Sequence, residues 1–452
     1  MNRKLTLASI VLCLISASAS AQGFSENFLL EGVRTSFRFN PAATGSDPFL
    51  SLGSYAGTSA ANIGASSLLF PDAVEGSVVT GLHSAVPADT FLGGLKDNNI
   101  LTGNMDYNLF AYGFSHGGHF HIVEVSLKND YRTALSKDLF SLLKIGSRTE
   151  AYDLGGTMAS DRLYAEIAYG CSKKLGDRLT IGARGKLLVG LAAASYSVSS
   201  LDVTLGEDRL EASGGTQLLL TDRSFKFNPD EDGTVGIRDI RRKQTSYIPT
   251  GLGLAVDLGV VFTPSEDLTV SASILDLGGI LWRYGNAAAS SGSVVHEGFG
   301  EFDIEDFDTE LLSDKISALA DNVMSIVELK KKGAKLALGA VPLKINVGVK
   351  YRMPFYDALT VGLTGNFESC QGLPYAEARL GAGVTPLQWL SATANVGCGT
   401  FGAVWGAGLS AKIFKFCINA SYEYNFGGVV PVYGYSLTPC RKHLSAGLTF
   451  DL

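Results

Sequence analysis

Beyond its first twenty-one residues the chain has no stretch of about eighteen uninterrupted apolar residues, which excludes membrane-spanning helices. Charge is scarce as well: 18% of the 452 residues, at a mean hydropathy of only +0.18. That balance is too apolar for a typical soluble enzyme and too polar for a bundle of membrane helices. A net charge of −7 gives no reason to expect nucleic acid as a partner. Cysteine is sparse and scattered. Cys13 lies in the leader, and Cys171, Cys370, Cys398, Cys417 and Cys440 show no CxxC spacing. Their odd number leaves at least one unpaired, and they suggest neither a disulfide framework nor a zinc site. One bridge, Cys370–Cys398, joins neighbouring outer turns and stays open as a candidate. Catalytic signatures are missing too: there is no G-x-S-x-G elbow and no P-loop. His443 and Ser445 share a strand parity but read as polar filler. An enzyme is not expected.

What the chain does carry begins with a leader. Arg3 and Lys4 form a basic start, Leu5 to Ile15 an apolar stretch, and Ala19-Ser20-Ala21 a cleavage site before Gln22. Residues 1–21 therefore read as a cleaved signal peptide, and Leu12 before Cys13 argues against a lipoprotein.

Fifty-three glycines and 10% aromatics point to a β protein with many turns and close backbone contacts. Alternation supports this. From Lys442 to Leu452 one parity reads Leu444, Ala446, Leu448, Phe450, Leu452, and the other His443, Ser445, Gly447, Thr449, Asp451. Leu343, Ile345, Val347, Val349 and Tyr351 oppose Lys344, Asn346, Gly348, Lys350 and Arg352. Successive strand side chains point to opposite faces, so each segment is a two-faced strand.

A soluble sandwich buries the apolar face, whereas a membrane barrel turns it to lipid. The strands are long, Tyr and Phe cluster near strand ends, Phe450 and Leu452 end the chain, and a leader is present. These features favour a barrel in the outer membrane of a Gram-negative bacterium, with outer-membrane lipid as its surroundings.

Counting back from the C-terminus gives an antiparallel transmembrane barrel of about fourteen strands. They fall near 58–69, 105–116, 118–129, 161–172, 177–200, 249–263, 267–276, 343–353, 357–368, 374–385, 388–397, 400–410, 412–426 and 441–452. The barrel then spans 58–452, with long outer loops at 201–248 and 277–342. Residues 22–57 alternate poorly and are expected as an N-terminal plug. Residues 309–332 read as an amphipathic loop helix, acidic at its start and ending on Lys330-Lys331-Lys332 before Gly333.

Two motifs carry a resemblance. Asn40-Pro41-Ala42, after an exported N-terminus, resembles the hatch motif of FadL-like transporters and their PorV-type relatives. Asp267 to Trp282, with Asp276-Leu277-Gly278, resembles a segment of Bacteroidota outer-membrane barrels of that group. The resemblance implies a plugged barrel. Its implied functions diverge, from moving hydrophobic molecules to serving type IX secretion.

If the apolar parity faces lipid, the interior holds Arg162, Glu166, Arg178, Arg184, Lys186, Asp257, Lys344, Lys350, Arg352, Glu368, Glu377, Arg379, Lys415, Glu423 and Asp451. Buried charges need partners. Ion-pair ladders are therefore expected, with Arg34 and Arg38, beside Asn40 and Pro41, as plug-side members. Such an interior argues against a continuous greasy conduit. Passage of a small hydrophobic or amphipathic solute past the plug is the first functional expectation. A non-transporting partner barrel for a surface or secretion complex is the alternative.

Two further patterns invite a metal. Asn228, Asp230, Asp232, Thr234 and Asp239 match a calcium-loop spacing, with Gly233 at the turn and a carboxylate at the last position. Asn at the first position, Pro229 and Asp at the last depart from it, and an acidic loop facing the medium is the plainer reading. His116, His119 and His121 fall within six residues, but Gly117-Gly118 between them reads as a hairpin turn. No other cofactor is expected.

Overall fold

The computed structural model describes residues 24–45, 47–74, 77–145, 151–205, 209–221, 225–231, 233–235, 240–242, 248–297, 329–370, 373–425 and 438–452. Fourteen antiparallel strands close into a barrel. In chain order they are β1 Phe49–Ala61, β2 Asn98–His116, β3 His119–Ser136, β4 Met158–Leu175, β5 Leu179–Leu205, β6 Gly251–Phe262, β7 Leu268–Tyr284, β8 Lys344–Arg352, β9 Leu359–Cys370, β10 Leu373–Leu387, β11 Leu390–Gly399, β12 Gly402–Ile413, β13 Phe416–Asn425 and β14 Cys440–Asp451. β1 closes the wall: Tyr55 stands opposite Tyr107 of β2 on one side and Ala446 of β14 on the other.

The wall is inverted relative to a soluble protein. Leu254 (69% exposed), Leu380 (61%) and Leu363 (57%) point outward, while Glu423, Asp257 and Glu166 are buried inside. An outward band of this kind is stable only against hydrocarbon, which places the barrel in an outer membrane. No described helix is long and apolar enough to cross a membrane.

The strand ends differ. At the end holding Asp451 the turns are tight, as at Gly117-Gly118, where φ is +59° and +75°. Positive φ at both central positions is the backbone of a type I′ hairpin turn, which glycine adopts without strain. At the other end β5 runs on to Leu205, a strand of 27 residues.

The long segments expected as outer loops are more regular than the sequence suggested. Within 201–248 and 277–342, strands Arg209–Leu220 and Asn286–Glu297 pair with each other along their length, and the first also pairs with the outer half of β5. Their apolar face joins Tyr152, Leu154, Val203, Phe227 and Leu329 in a separate core at the end of the barrel away from Asp451. The stretch Ala287-Ala288-Ala289-Ser290-Ser291-Gly292 has no hydrophobic alternation. The expected helix at 309–332 is corrected at its end: Lys330–Lys332 is a short strand paired with Ala287–Ala289. Residues 309–328 lie outside the described residues.

The first strand is corrected as well. It begins at Phe49 rather than near 58, so the lumenal segment ends at Pro48. The reason is a bulge. Gly53 has φ +70°, and the register with β14 shifts between Ser51 and Tyr55. A bulge interrupts the two-residue period by which a strand is recognised. Cys398 carries a free thiol, so the Cys370–Cys398 bridge is not formed.

Candidate functional site

The segment before β1 sits inside the barrel. It comprises α1, Phe24–Leu29, a 3-10 turn at Arg34–Arg38, and a turn at 41–42. Three kinds of contact hold it. The first is ionic. Arg34 meets Asp451 at 2.9 Å and Asp47 at 2.9 Å. Arg38 meets Asp106 at 2.6 Å and Glu124 at 2.9 Å. Burial works against the charge of Arg38, but Asp106 and Glu124 outweigh it and hold its pKa above the ordinary value. Glu26 accepts from Asn395 at 2.6 Å and pairs with Arg379 at 3.4 Å.

The second is the Asn40-Pro41 turn. The Asn40 amide donates to the Val260 carbonyl (3.0 Å), Ser271 Oγ (2.8 Å) and the Ala272 carbonyl (3.1 Å). Its Oδ1 accepts from the Ala42 N–H at 2.8 Å. One side chain thus ties the turn to β6 and β7 and closes the turn on itself.

The third is the absence of side chains opposite the plug. A Cβ at Gly182 would strike the Pro41 carbonyl, at Gly259 the Asn40 amide, at Gly383 the Leu29 carbonyl, and at Gly406 the Glu26 carboxylate. Part of the glycine content is therefore a bed for the plug.

Behind the plug, charges form two clusters. Lys128 pairs with Glu166 at 2.7 Å, and Arg184 pairs closely with Glu124. Lys186 meets Asp257 at 2.8 Å and Asp276 at 2.5 Å. In the second cluster Arg379 meets Glu377 and Glu423, each at 2.7 Å. Arg441 meets Glu368 at 3.0 Å and Glu423 at 3.5 Å, and Lys344 meets Glu368 at 3.7 Å. Most of these side chains are nearly inaccessible to solvent, so pairing is a condition of their burial.

Asp276 explains the Asp-Leu-Gly segment. Its φ is +59°, and the β6–β7 register shifts opposite it, between Val256 and Leu258. The Asp276 N–H donates to Asp257 Oδ1 at 2.8 Å. The bulge switches parity along β7. Ile274 faces out before it, Leu277 and Leu281 face out after it, and Ile280 and Trp282 face in. Asp276 was invisible to an alternation count because it sits where the count changes phase.

Of the expected interior residues, Glu166, Arg184, Lys186, Asp257, Glu368, Arg379 and Glu423 are buried in the two clusters. Lys344 and Glu377 join them half-buried, and Arg162 donates to the Ala340 carbonyl at 3.0 Å. Lys350 meets plug residue Glu31 at 3.3 Å. Three assignments are corrected. Arg178 and Lys415 fall in the turns before β5 and β13, and Arg352 is the last residue of β8, so all three are exposed at the tight-turn end rather than in the lumen. Asp106, Glu124, Lys128, Asp276, Arg441 and Glu26 were missed. The β2 and β3 residues stood in a segment whose alternation would have revealed them. Glu26 lies in a short helix that gives no two-residue period.

The metal patterns fare differently. Asp232 and Asp239 of the candidate calcium loop lie outside the described residues. Thr234 Oγ1 accepts from Lys330 Nζ at 3.0 Å, which sets a cation beside it. His121 is hydrogen-bonded to Tyr169 Oη at 2.8 Å, and His119 to the Gly117 carbonyl at 2.9 Å.

Beside the plug lies a polar cavity that opens to solvent. Arg38, Lys128, Asp130, Tyr164, Lys344 and His443 are among its walls. Pro342 also lines a second pocket, where Met158, Ala194, Tyr284 and Val341 supply apolar surface. Pro342 falls in the break between strand Lys335–Ala340 and β8, both paired with β7.

Solved barrels share the general outline. The Pseudomonas putida toluene transporter TodX is 9% identical, with 96% of this chain and 98% of that chain covered at a TM-score of 0.44. The Ralstonia pickettii toluene transporter TbuX is 10% identical, with 93% and 94% covered at 0.45. A Pseudomonas aeruginosa FadL homologue is 11% identical, with 96% and 98% covered at 0.44. At these values the likeness adds nothing to what the strand pairing establishes. No curated protein matches the sequence. The match that defines kinship is to a sequence family over residues 41–421, from the Asn-Pro turn to β13: the chain belongs to the family of unknown function DUF5723.

Proposed function

We propose that this barrel passes a small amphipathic solute across the outer membrane, past an N-terminal plug that must shift. One observation carries the reading: Pro342 lines both the polar cavity beside the plug and a partly apolar pocket. A molecule with one charged or hydroxylated end and one apolar end matches that pair of surroundings. The ion-pair clusters argue against a wholly apolar solute travelling along the axis, since it would have to displace water from charged walls. The chain's role is non-enzymatic, and residues 1–21 act as a cleaved export signal. The hatch-like Asn40-Pro41-Ala42 turn supports the kinship with FadL- and PorV-type barrels.

The test is solute flux into liposomes holding the purified barrel with and without residues 24–46. Release of the plug raises the flux of a short-chain carboxylic acid if the reading holds. Equal flux from the two proteins refutes it and favours the alternative, a partner barrel that carries nothing.

A further inference from the structure

The second charge cluster contains an unusual contact between plug and wall. Glu26 of α1 and Glu423 of β13 are both fully buried. Each uses one Arg379 guanidinium: Nη1 lies 3.4 Å from Glu26 Oε1, and Nη2 lies 2.7 Å from Glu423 Oε2. The remaining oxygens, Glu26 Oε2 and Glu423 Oε1, meet no donor among the described residues. Glu26 Oε1 lies where a Cβ of Gly406 would be, and Gly406 stands directly opposite Glu423 on the neighbouring strand, so the two carboxyl groups are side by side.

Two carboxylates cannot hydrogen-bond, because both are acceptors. A carboxyl–carboxyl contact requires one proton between them, and two ionised groups so close repel in a low-dielectric interior. The surrounding charge leaves room for that proton. Arg379 also serves Glu377, and Arg441 divides itself between Glu423 and Glu368. Lys344 reaches Glu368 at 3.7 Å. His443 stands opposite Glu423 on β14, and its Nδ1 lies 3.3 Å from the Thr58 hydroxyl. Tyr375 donates to Glu377 at 2.7 Å, and Asn395 supplies a neutral amide to Glu26. Among the described residues, four carboxylates therefore share three cations in this cluster.

We propose that Glu26 and Glu423 form a proton-held latch, in which one shared proton fastens the plug helix to the barrel wall. Loss of that proton sets two negative charges face to face. When α1 leaves, Glu26 reaches water and Glu423 keeps Arg379 and Arg441 to itself. The docked state thus holds one more proton than the released state. Docking is favoured by acid and weakened as pH rises through the range where the pair ionises. The inference concerns plug attachment and stands whether or not a solute passes.

Hydrogen exchange across residues 24–33 in the full-length barrel, expressed as a protection factor to remove the solvent's own pH dependence, tests it. Between about pH 5 and pH 9, parent protection falls with rising pH by up to roughly tenfold per unit, the limit for one linked proton. Glu26→Gln supplies a permanent donor to Glu423 and flattens that slope. Glu423→Gln, which supplies the donor from the wall, flattens it too. Strong heat-modifiable migration of each variant confirms a closed barrel. A parent protection factor that is constant over this range overturns the latch. So does an unchanged slope in both glutamine variants.

Discussion

Arg379 and Leu380 are neighbours in β10 and live in different solvents: Arg379 is 2% exposed, inside among Glu377 and Glu423, while Leu380 is 61% exposed on the outer surface. Across the wall, Leu380 is flanked by Leu363 and Val396, which are also exposed. One residue of register therefore decides between an ion-pair cluster and lipid.

That relationship predicts an asymmetry. Leu380→Arg puts a second arginine one position away, facing hydrocarbon near mid-strand, at a cost of about 2–4 kcal/mol. Urea titration of folding into liposomes measures it. Equal stability of Leu380→Arg and parent would mean the outward face does not meet lipid.

Removing Arg379 has a different consequence. Arg379→Met keeps the bulk but strips Glu26, Glu377 and Glu423 of a common partner, and breaking a buried pair in this way costs about 3–5 kcal/mol. A triple variant that also carries Glu423→Gln and Glu377→Gln recovers part of the loss, because the stranded charges are gone. Absence of any recovery in the same titration would show that Arg379 acts by packing alone.

The plug's seat depends on a missing methyl group. Gly259→Ala places a Cβ against the Asn40 amide, which already spends its bonds on Val260, Ser271 and Ala272. The expected result is a folded barrel whose segment 34–45 is cut far faster by added protease. Asn40→Ala should loosen the same segment through three lost hydrogen bonds, each worth about 1 kcal/mol. Unchanged cleavage in both would show that the turn is held elsewhere.

Plug movement can be blocked outright. Ser25 Oγ and Thr364 Oγ1 lie 2.6 Å apart, joining α1 to β9. Ser25→Cys combined with Thr364→Cys brings two thiols together across that contact. Oxidation should abolish solute flux in liposomes, and a reductant should restore it. Flux that ignores the cross-link would mean that α1 need not move.

Much of this architecture is written locally. Thirteen strands stand where alternation puts them, because a wall with lipid on one side and charge on the other forces a two-residue period on every crossing. The misplaced strand, β1, is the one with Gly53 in a bulge, where the period fails. Gly117-Gly118 announced its own turn, since only the local backbone decides that geometry. Arg34 and Arg38 find carboxylate partners in Asp47, Asp451, Asp106 and Glu124, as charged walls require of any cation that enters them.

Other features arise only when distant segments meet. Asp276 finds Lys186 because a bulge in β7 reverses its facing, and nothing in the local pattern says toward which side. Glu26 and Glu423 are separated by nearly the whole chain and share a guanidinium from a third strand. The amino-acid order thus set the inverted wall, the turns and the number of crossings, all short-range consequences of solvent and backbone sterics. Closure of the ring decided which charges became partners and which glycines became the plug's bed, since those depend on distances that exist only once β1 meets β14.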